Sequence, residues 1–331
     1  KIELKPSSHR IIIPLYIPKE NGYYKESYEI FELCLFSLIK TSISTIKISV
    51  ISDGCCQSVN DKLLKLHKEN HINELIIESE NIGKINAVFK ALRTAEERLI
   101  TITDADILFL NNWEKEVINV FEAFPKAGAV CPIPIFRTHF RLTSNIWSDY
   151  LFSKKLKFLP VKNTDALTKF ANSIGWPRLD KKWKDSILTL EAANGKKAVV
   201  GGSHVCCTYK REVFKKSPQK NSKYKLGSDS ELNYLDKPVL KANAYRLATY
   251  DNFAYHMGNE IEEWMIDTYK ELKTSQKKYY ALDQLATLKM NKLDFRISEL
   301  FLKRLLYFKK IKRFLLKRKG LTKEQIKNYV S

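Results

Sequence analysis

The stretch RLITITDADILFL, residues 98–110, sets two carboxylates, Asp104 and Asp106, one residue apart inside a run of apolar β-formers. Leu99 to Thr103 reads as a strand buried on both faces, because a short aliphatic and β-branched run is what a parallel strand under helices needs. A fold built round such a strand is an α/β sheet. The acids then stand at the strand's carboxyl end, in the crevice where open sheets of this kind hold ligands. Residues two apart in extended backbone project to the same side, and Ala105 leaves room between them. Two hard oxygen donors there suit Mg²⁺ or Mn²⁺, ions that also take phosphate oxygens and water. These three residues fit an exposed Asp-Ala-Asp turn equally well, so the rest of the chain has to decide.

Taken in order, the chain alternates. RIIIPLYI (10–17) is a first strand closed by Pro14, and Ile30, Phe31, Cys34, Leu35 and Leu38 recur at helical spacing. IKISVI (46–51) is a second strand ending at Ser52, Asp53 and Gly54. A helix over 58–70, a short strand at 75–77, a turn at Asn81-Ile82-Gly83 and a helix over 85–97 lead into the central strand. Helices are also expected over 113–124 and from Lys210, and strands over 129–135 and 244–249. A strand pair or bulged strand is expected over 198–209, where Gly201 and Gly202 allow close backbone approach. The alternation predicts a doubly wound, largely parallel sheet. No element is assigned between Thr138 and Gly195, a segment rich in Lys and aromatics. Its rings (Phe136, Phe140, Trp147, Tyr150, Phe152, Phe158, Trp176 and Trp183) read as a substrate-facing wall or as ordinary packing.

Two common phosphate-binding loops are missing: there is no G-x-G-x-x-G after the first strand and no G-x-x-x-x-G-K-[ST]. The position where a nucleotidylyltransferase needs a glycine-rich basic loop reads PLYIPKE. Phosphate charge must then be met by a metal and by scattered basic residues. Six cysteines without C-x-x-C spacing give neither a zinc pattern nor a disulfide framework, and fit a reducing compartment. No apolar run reaches the roughly 18 residues that cross a bilayer. The chain begins at Lys1 without Met, which leaves room for a removed N-terminal segment.

The segment GSDSELNYL (227–235) places Asp229 and Glu231 at a helix start, where Asp229 serves either as an N-cap or as a chemical group. His256 follows in YHMGN, a structural residue or a third metal ligand.

Together these stretches resemble the GT-A fold glycosyltransferases of family 2, inverting enzymes that use nucleotide-diphosphate sugars, over about residues 10–258. The resemblance rests on Pro14-Leu15-Tyr16 after the first strand, Ser52-Asp53-Gly54-Cys55 after the second and Asn81-Ile82-Gly83-Lys84. It continues through Asp104-Ala105-Asp106, Gly201-Gly202 before Lys210-Arg211, and Asp229-Ser230-Glu231-Leu232. It implies a nucleotide-sugar site at Pro14, Tyr16, Asp53, Asn81, Gly83, Lys84 and Asp104. It also implies a Mn²⁺ or Mg²⁺ site at Asp104, Asp106 and His256, and a sugar wall at Gly201 and Gly202. Asp229 is the implied general base, with Glu231 its rival because Ser228 stands where the family has Glu. Ser52 likewise replaces an Asp that contacts the base in that family, which leaves Asp53 as the implied contact there.

The expected organisation is a catalytic domain over 1–260, with a nucleotide-sugar half (about 10–110) and an acceptor half (about 111–260), followed by a basic helical extension over 261–331. The expected activity is hexosyl or N-acetylhexosaminyl transfer, from a UDP-sugar, to a hydroxyl of a glycan or lipid-linked acceptor in cell-surface polysaccharide synthesis. The net charge of +20 is uneven: residues 289–331 hold 14 basic and 3 acidic residues. Within them, FLKRLLYFKKIKRFLLKRKG (301–320) has nine basic residues and no acid. Read as a helix, Leu302, Leu305 and Leu306 form one apolar face and Phe308, Ile311 and Leu315 another. The segment fits either a packed helix pair or an interfacial helix on anionic lipid, and the second places the protein at the cytoplasmic face of a membrane. A nucleic-acid-binding protein also explains the basic tail, but leaves the acid pair and the α/β order unexplained.

Overall fold

The computed structural model describes residues 9–176, 179–227, 229–289 and 292–330; Ser228 lies outside them. In chain order the first half runs β1 (His9–Leu15), α1 (Ser27–Thr41), β2 (Ile46–Asp53), α2 (Gln57–Lys68), β3 (Glu74–Glu78), α3 (Lys84–Thr94), β4 (Leu99–Thr103), β5 (Ile107–Phe109) and α4 (Trp113–Ala123). There follow β6 (Ala127–Cys131), α5 (Ser144–Tyr150), β7 (Leu156–Pro160), α6 (Thr164–Ser173), α7 (Lys181–Asp185), β8 (Ser186–Glu191), β9 (Lys197–Val200) and β10 (Cys206–Lys210). The chain closes with α8 (Lys237–Lys241), β11 (Tyr245–Thr249), β12 (Ala254–His256), α9 (Glu263–Glu271), α10 (Lys292–Tyr307), α11 (Lys309–Arg318) and α12 (Lys323–Val330).

Ten strands form one sheet in the order β3-β2-β1-β4-β10-β6-β11-β9-β8-β7. The β3-β2-β1-β4 side is parallel throughout, β10 enters antiparallel between β4 and β6, and β6 and β11 are parallel. The β9-β8-β7 edge is an antiparallel meander. The pattern of β1 shows why this sheet is covered on both faces. Ile11 and Ile13 enter one hydrophobic core while Ile12, pointing the other way, enters a second. All three are fully buried, each contributing about 1.5–3 kcal/mol of apolar burial. The α/β architecture with flanking helices and C-terminal helices agrees with the sequence reading.

Several expectations shift. The strand expected over 129–135 stops at Cys131, because Pro132 and Pro134 have no N–H to continue a ladder. The pair expected over 198–209 is two strands that do not pair with each other: β9 lies against β11 and β8, and β10 against β4 and β6. The helix expected from Lys210 is a short 3₁₀ turn, Arg211–Lys216. Between 138 and 195, a stretch without a clear sequence pattern, lie α5, β7, α6, α7 and β8. Most rings there serve the core: Trp147 and Phe158 are buried, whereas Phe152 is exposed.

The basic extension is joined to the body. Leu302, Leu315, Leu316, Leu321, Ile326 and Tyr329 belong to the main core. Lys319, itself buried, donates to the carbonyls of Tyr150 (2.7 Å) and Ser153 (2.8 Å), and its own carbonyl accepts from Phe158 N–H on β7 (2.7 Å). The tail thereby covers the β7 edge, which would otherwise offer unpaired backbone to another strand.

Candidate active site

The carboxyl ends of β1, β2 and β4 open onto a cleft of about 300 Å³. Pro14, Tyr16, Asp53, Asn81, Lys84, Asp104 and Asp106 line it, so that segments far apart in sequence meet. Gly83 lies beside it as the N-cap of α3. Local folding fixes each group. The Asp53 carboxylate, at the end of β2, accepts the N–H groups of Ile82 (2.7 Å) and Gly83 (3.1 Å). Burial pushes this carboxyl up, and the two donors partly offset that. Asp53, expected on the base, is thus also the brace of the turn that precedes Lys84. Gly83 is left-handed, at φ +93°, and a Cβ there would stand 2.5 Å from Lys225 Cα. Only glycine lets the 225 loop seat on this turn, where Lys84 N–H donates to Lys225 carbonyl (3.0 Å).

Lys84 forms an ion pair with Asp104. Burial alone would lower the Lys84 ammonium, but Asp104 reverses this and holds it above its usual range. Asp104 is anchored by its N–H to Val205 carbonyl (2.7 Å), just before β10. Asp106 begins the turn into β5, which pairs with β12 so that His256 faces Ile107. Met257 N–H donates to Asp106 carbonyl (2.8 Å) and completes the link. His256, 150 residues from Asp106, therefore arrives with its Nε2 at 3.3 Å from Asp106 Oδ2. Its Nδ1 lies 3.0 Å from Ser173 Oγ on α6, a partner that orients the ring.

Ligand atoms of Asp104, Asp106 and His256 all fall within 4.8 Å of one another. Asp106 Oδ1 is buried with no hydrogen-bond partner among the described residues, a costly arrangement unless something coordinates it. Burial raises the Asp106 carboxyl and Asp104 adds to this, while His256 opposes both. Two carboxylates and one imidazole beside a cleft suit Mn²⁺ or Mg²⁺ that completes its shell with phosphate and water. The residues fit such an ion.

The two candidate bases part company. Asp229 is exposed on the turn before the helix. Glu231 is buried, accepts from Ser230 Oγ (2.6 Å), and feels the charges of Lys84 and His204. Burial works to raise its carboxyl, yet Ser230, Lys84 and His204 together bring it below its usual value. Gly201 and Gly202, expected on an acceptor or donor sugar wall, do not line this cleft, and Gly202 lines a second cavity with Val205 and Arg246. A Cβ on Gly201 would meet Thr138 Oγ1 at 2.3 Å and one on Gly202 would meet Cys131 Sγ at 2.7 Å, so their close approach is to protein. Sequence reasoning missed Tyr23, Tyr24, Lys225, Leu226 and Asn259, which also line the cleft. Tyr16, Tyr23 and Tyr24 contact edge to face, with centroids 5.9 and 5.1 Å apart. The adjacent tyrosines after Asn21-Gly22 were the available signal; nothing marked Lys225.

Among solved structures, the chain is similar to a mannosyltransferase of Pyrobaculum calidifontis in complex with GDP-Man and Mn²⁺. The identity is 15%, with 96% of this chain and 74% of that one covered and a TM-score of 0.43. It is also similar to GalNAc-T7 with UDP, GalNAc and Mn²⁺, at 12% identity over 77% of this chain and 44% of that one, TM-score 0.45. A third is S. aureus TarS, at 12% identity over 96% and 46%, TM-score 0.42. Among curated proteins none matches the sequence. The family described as glycosyl transferase family 2 matches residues 22–217. That span is more than half of the chain and carries every strand from β2 to β10, and on it the protein belongs to glycosyl transferase family 2.

Proposed function

We propose that the protein transfers a hexosyl or N-acetylhexosaminyl group from a UDP-sugar to a hydroxyl of a glycan or lipid-linked acceptor, with inversion, in polysaccharide synthesis. The observation that carries this reading is the convergence of Asp104, Asp106 and Lys84 on one cleft, with His256 grouped beside the two acids. Asp104, Asp106 and His256 would hold the divalent cation, which when bound neutralises charge developing on the leaving diphosphate. Lys84 stands ready to meet a phosphate oxygen from the same side, and the tyrosine cluster with the Asn81 turn supplies the walls for nucleoside and ribose. On the far side of the sugar a carboxylate takes the acceptor's proton as its oxygen attacks the anomeric carbon, and direct displacement inverts that centre. Of the two expected bases, burial toward Lys84 and His204 favours Glu231 in this role over the exposed Asp229. The test is a thermal-shift and hydrolysis panel of sugar nucleotides with Mn²⁺, since a ligand selective for the folded state raises apparent stability. Metal-dependent release of UDP from one donor is the expected result, and no response to any sugar nucleotide would reject the reading.

The outer face of the tail supports a membrane partner and hence a lipid-linked acceptor. Ile297, Leu300 and Phe301 on α10, with Phe308, Ile311 and Phe314 at and along α11, are exposed apolar residues. Exposed Lys309, Lys310, Arg313, Lys317 and Arg318 surround them, the combination that meets an anionic headgroup layer. No helix among the described residues is long and apolar enough to cross a membrane. On this reading the protein works as a peripheral protein at the inner membrane face.

A further inference from the structure

A second cavity, of about 570 Å³, lies on the acceptor half and is lined by Arg137, Arg141, Arg246, His204, Asp236 and Trp176, among others. It touches the reaction centre at two points. Val205, on its wall, is the residue whose carbonyl holds Asp104 N–H, and Phe170, on another wall, has its ring 6.0 Å from the His256 ring. Its charge is unbalanced. Asp236 is the only acid among the described residues of the lining, and it is already engaged, accepting from Arg246 Nη2 at 2.7 Å with His204 Nδ1 at 3.4 Å. Arg137 and Arg141 are exposed to the opening and have no ion-pair partner among the described residues. The Arg137 guanidinium lies 4.0 Å from the Trp176 ring centroid, and Phe136 adds a second ring at 5.5 Å from Trp176.

The loop that presents the two arginines is held at a conformational cost. Arg137 and Leu142 are both left-handed, at φ +69° and +57°, a region non-glycine residues enter only when their surroundings impose it. The surroundings here are Gly201, against which Thr138 is seated with no space for a Cβ, and Arg246 Nη1, which donates to Arg141 carbonyl at 3.3 Å. Gly201, just after β9, thus seats this loop.

We propose that this cavity is the acceptor subsite and that it selects an acceptor bearing an anionic group, a phosphate or a carboxylate, next to a sugar or polyol ring. The inference rests on the transferase reading and adds the substrate class. Unpaired guanidinium groups reward an oxyanion with charge-assisted, bidentate hydrogen bonds. Trp176, part of whose ring is exposed beside Arg137 while Phe136 is buried behind it, offers the apolar edge for a sugar ring. A neutral acceptor would leave the excess positive charge unmet.

The experiment is equilibrium titration of the full chain with maltose, maltose 1-phosphate, maltobionate and farnesyl diphosphate at low and high salt. Wild type is expected to bind the charged disaccharides about tenfold or more tighter than maltose, as one or two charge-assisted bonds imply. That preference should shrink with salt. It should disappear in Arg141→Gln and, independently, in Arg137→Gln, both at exposed positions, and persist in Lys84→Gln. Tightest binding of farnesyl diphosphate, an anion without a sugar ring, would overturn the proposal, whereas tightest binding of a charged disaccharide would support it, the phosphate or the carboxylate form naming the anion. Equal affinity for maltose and its charged forms, or loss of binding in Lys84→Gln with none in the arginine variants, would overturn the proposal. Sugar-nucleotide turnover, measured separately, reports on the transferase reading alone.

Discussion

Asp106 carries a buried oxygen with no hydrogen-bond partner among the described residues, so removing its charge should act on the cation site before anything else. Asp106→Asn is expected to abolish the Mn²⁺ dependence of nucleotide binding, read by titration with and without metal. Ser173→Ala, which frees the His256 ring without touching a ligand atom, is expected to weaken metal affinity by about tenfold, the low end for a ligand's hydrogen-bond partner. Unchanged Mn²⁺ dependence in both would dismiss the Asp104-Asp106-His256 site. The base is separable, since it acts on the acceptor and leaves donor binding intact. Glu231→Gln should keep UDP affinity while transfer falls by about 10²-fold or more. If Asp229→Asn loses transfer and Glu231→Gln does not, the exposed carboxylate is the base.

Joins between elements can be tested through stability. Gly83→Ala forces a side chain into left-handed backbone and into Lys225, and should cost about 1–3 kcal/mol in urea denaturation. Gly22→Ala, left-handed but with nothing within 4 Å, should cost less, about 1 kcal/mol. Equal losses would mean that the 225 loop does not rest on Gly83. A second join is Glu114 on α4, which binds His9 of β1 (2.6 Å), the N–H groups of Ile43 (2.7 Å) and Ser44 (2.9 Å), and the Ser44 hydroxyl. Burial opposes ionisation there, but His9 and Ser44 overcome it and hold the carboxyl down at about 2. Because the folded value lies below the unfolded one, the stabilisation is full above about pH 4.5 and is lost as pH falls toward about 2. Its size is at most about 3 kcal/mol. Glu114→Gln should flatten the stability profile between pH 5 and pH 2, and an unchanged acid limb would refute the assignment.

At the scale of the whole molecule, the tail joins two roles that oppose each other in charge. Its inner face completes the core and covers the β7 edge, while its outer face gathers aromatics and cations that self-repel unless an anionic surface is present. Truncating it would expose Leu315, Leu316 and Tyr329 sites in the body, so surface variants make the cleaner comparison. Wild type should sediment with anionic vesicles and not with neutral ones, and binding should fall with salt. Phe301→Ser with Phe308→Ser and Phe314→Ser, or Lys309→Gln with Lys310→Gln and Arg313→Gln, should each release it without lowering Tm by more than a few degrees. Equal sedimentation of wild type and both triple variants would reject the membrane face.

What the sequence determined by itself was whatever depends on neighbours along the chain. The buried run before Asp104, the turn chemistry at Asn81-Ile82-Gly83 and the alternation of strand and helix from β1 to β4 are all local patterns of burial and backbone freedom. The tertiary structure decided what depends on long-range pairing. The β5–β12 ladder brings His256 to Asp106, and the separation of β9 from β10 inserts two strands between segments adjacent in sequence. The same packing turned Gly201 toward Thr138 and divided the tail's apolar residues, drawing Leu315 inward while Phe308 and Phe314 stayed in solvent. The cavity lined by Arg137, Arg141 and Trp176 assembles from the turn after β6, the turn after α6 and the β9–β10 connection. No window of sequence contains its charge balance, because one acid, Asp236, has to be shared in space before the unpaired arginines can be recognised.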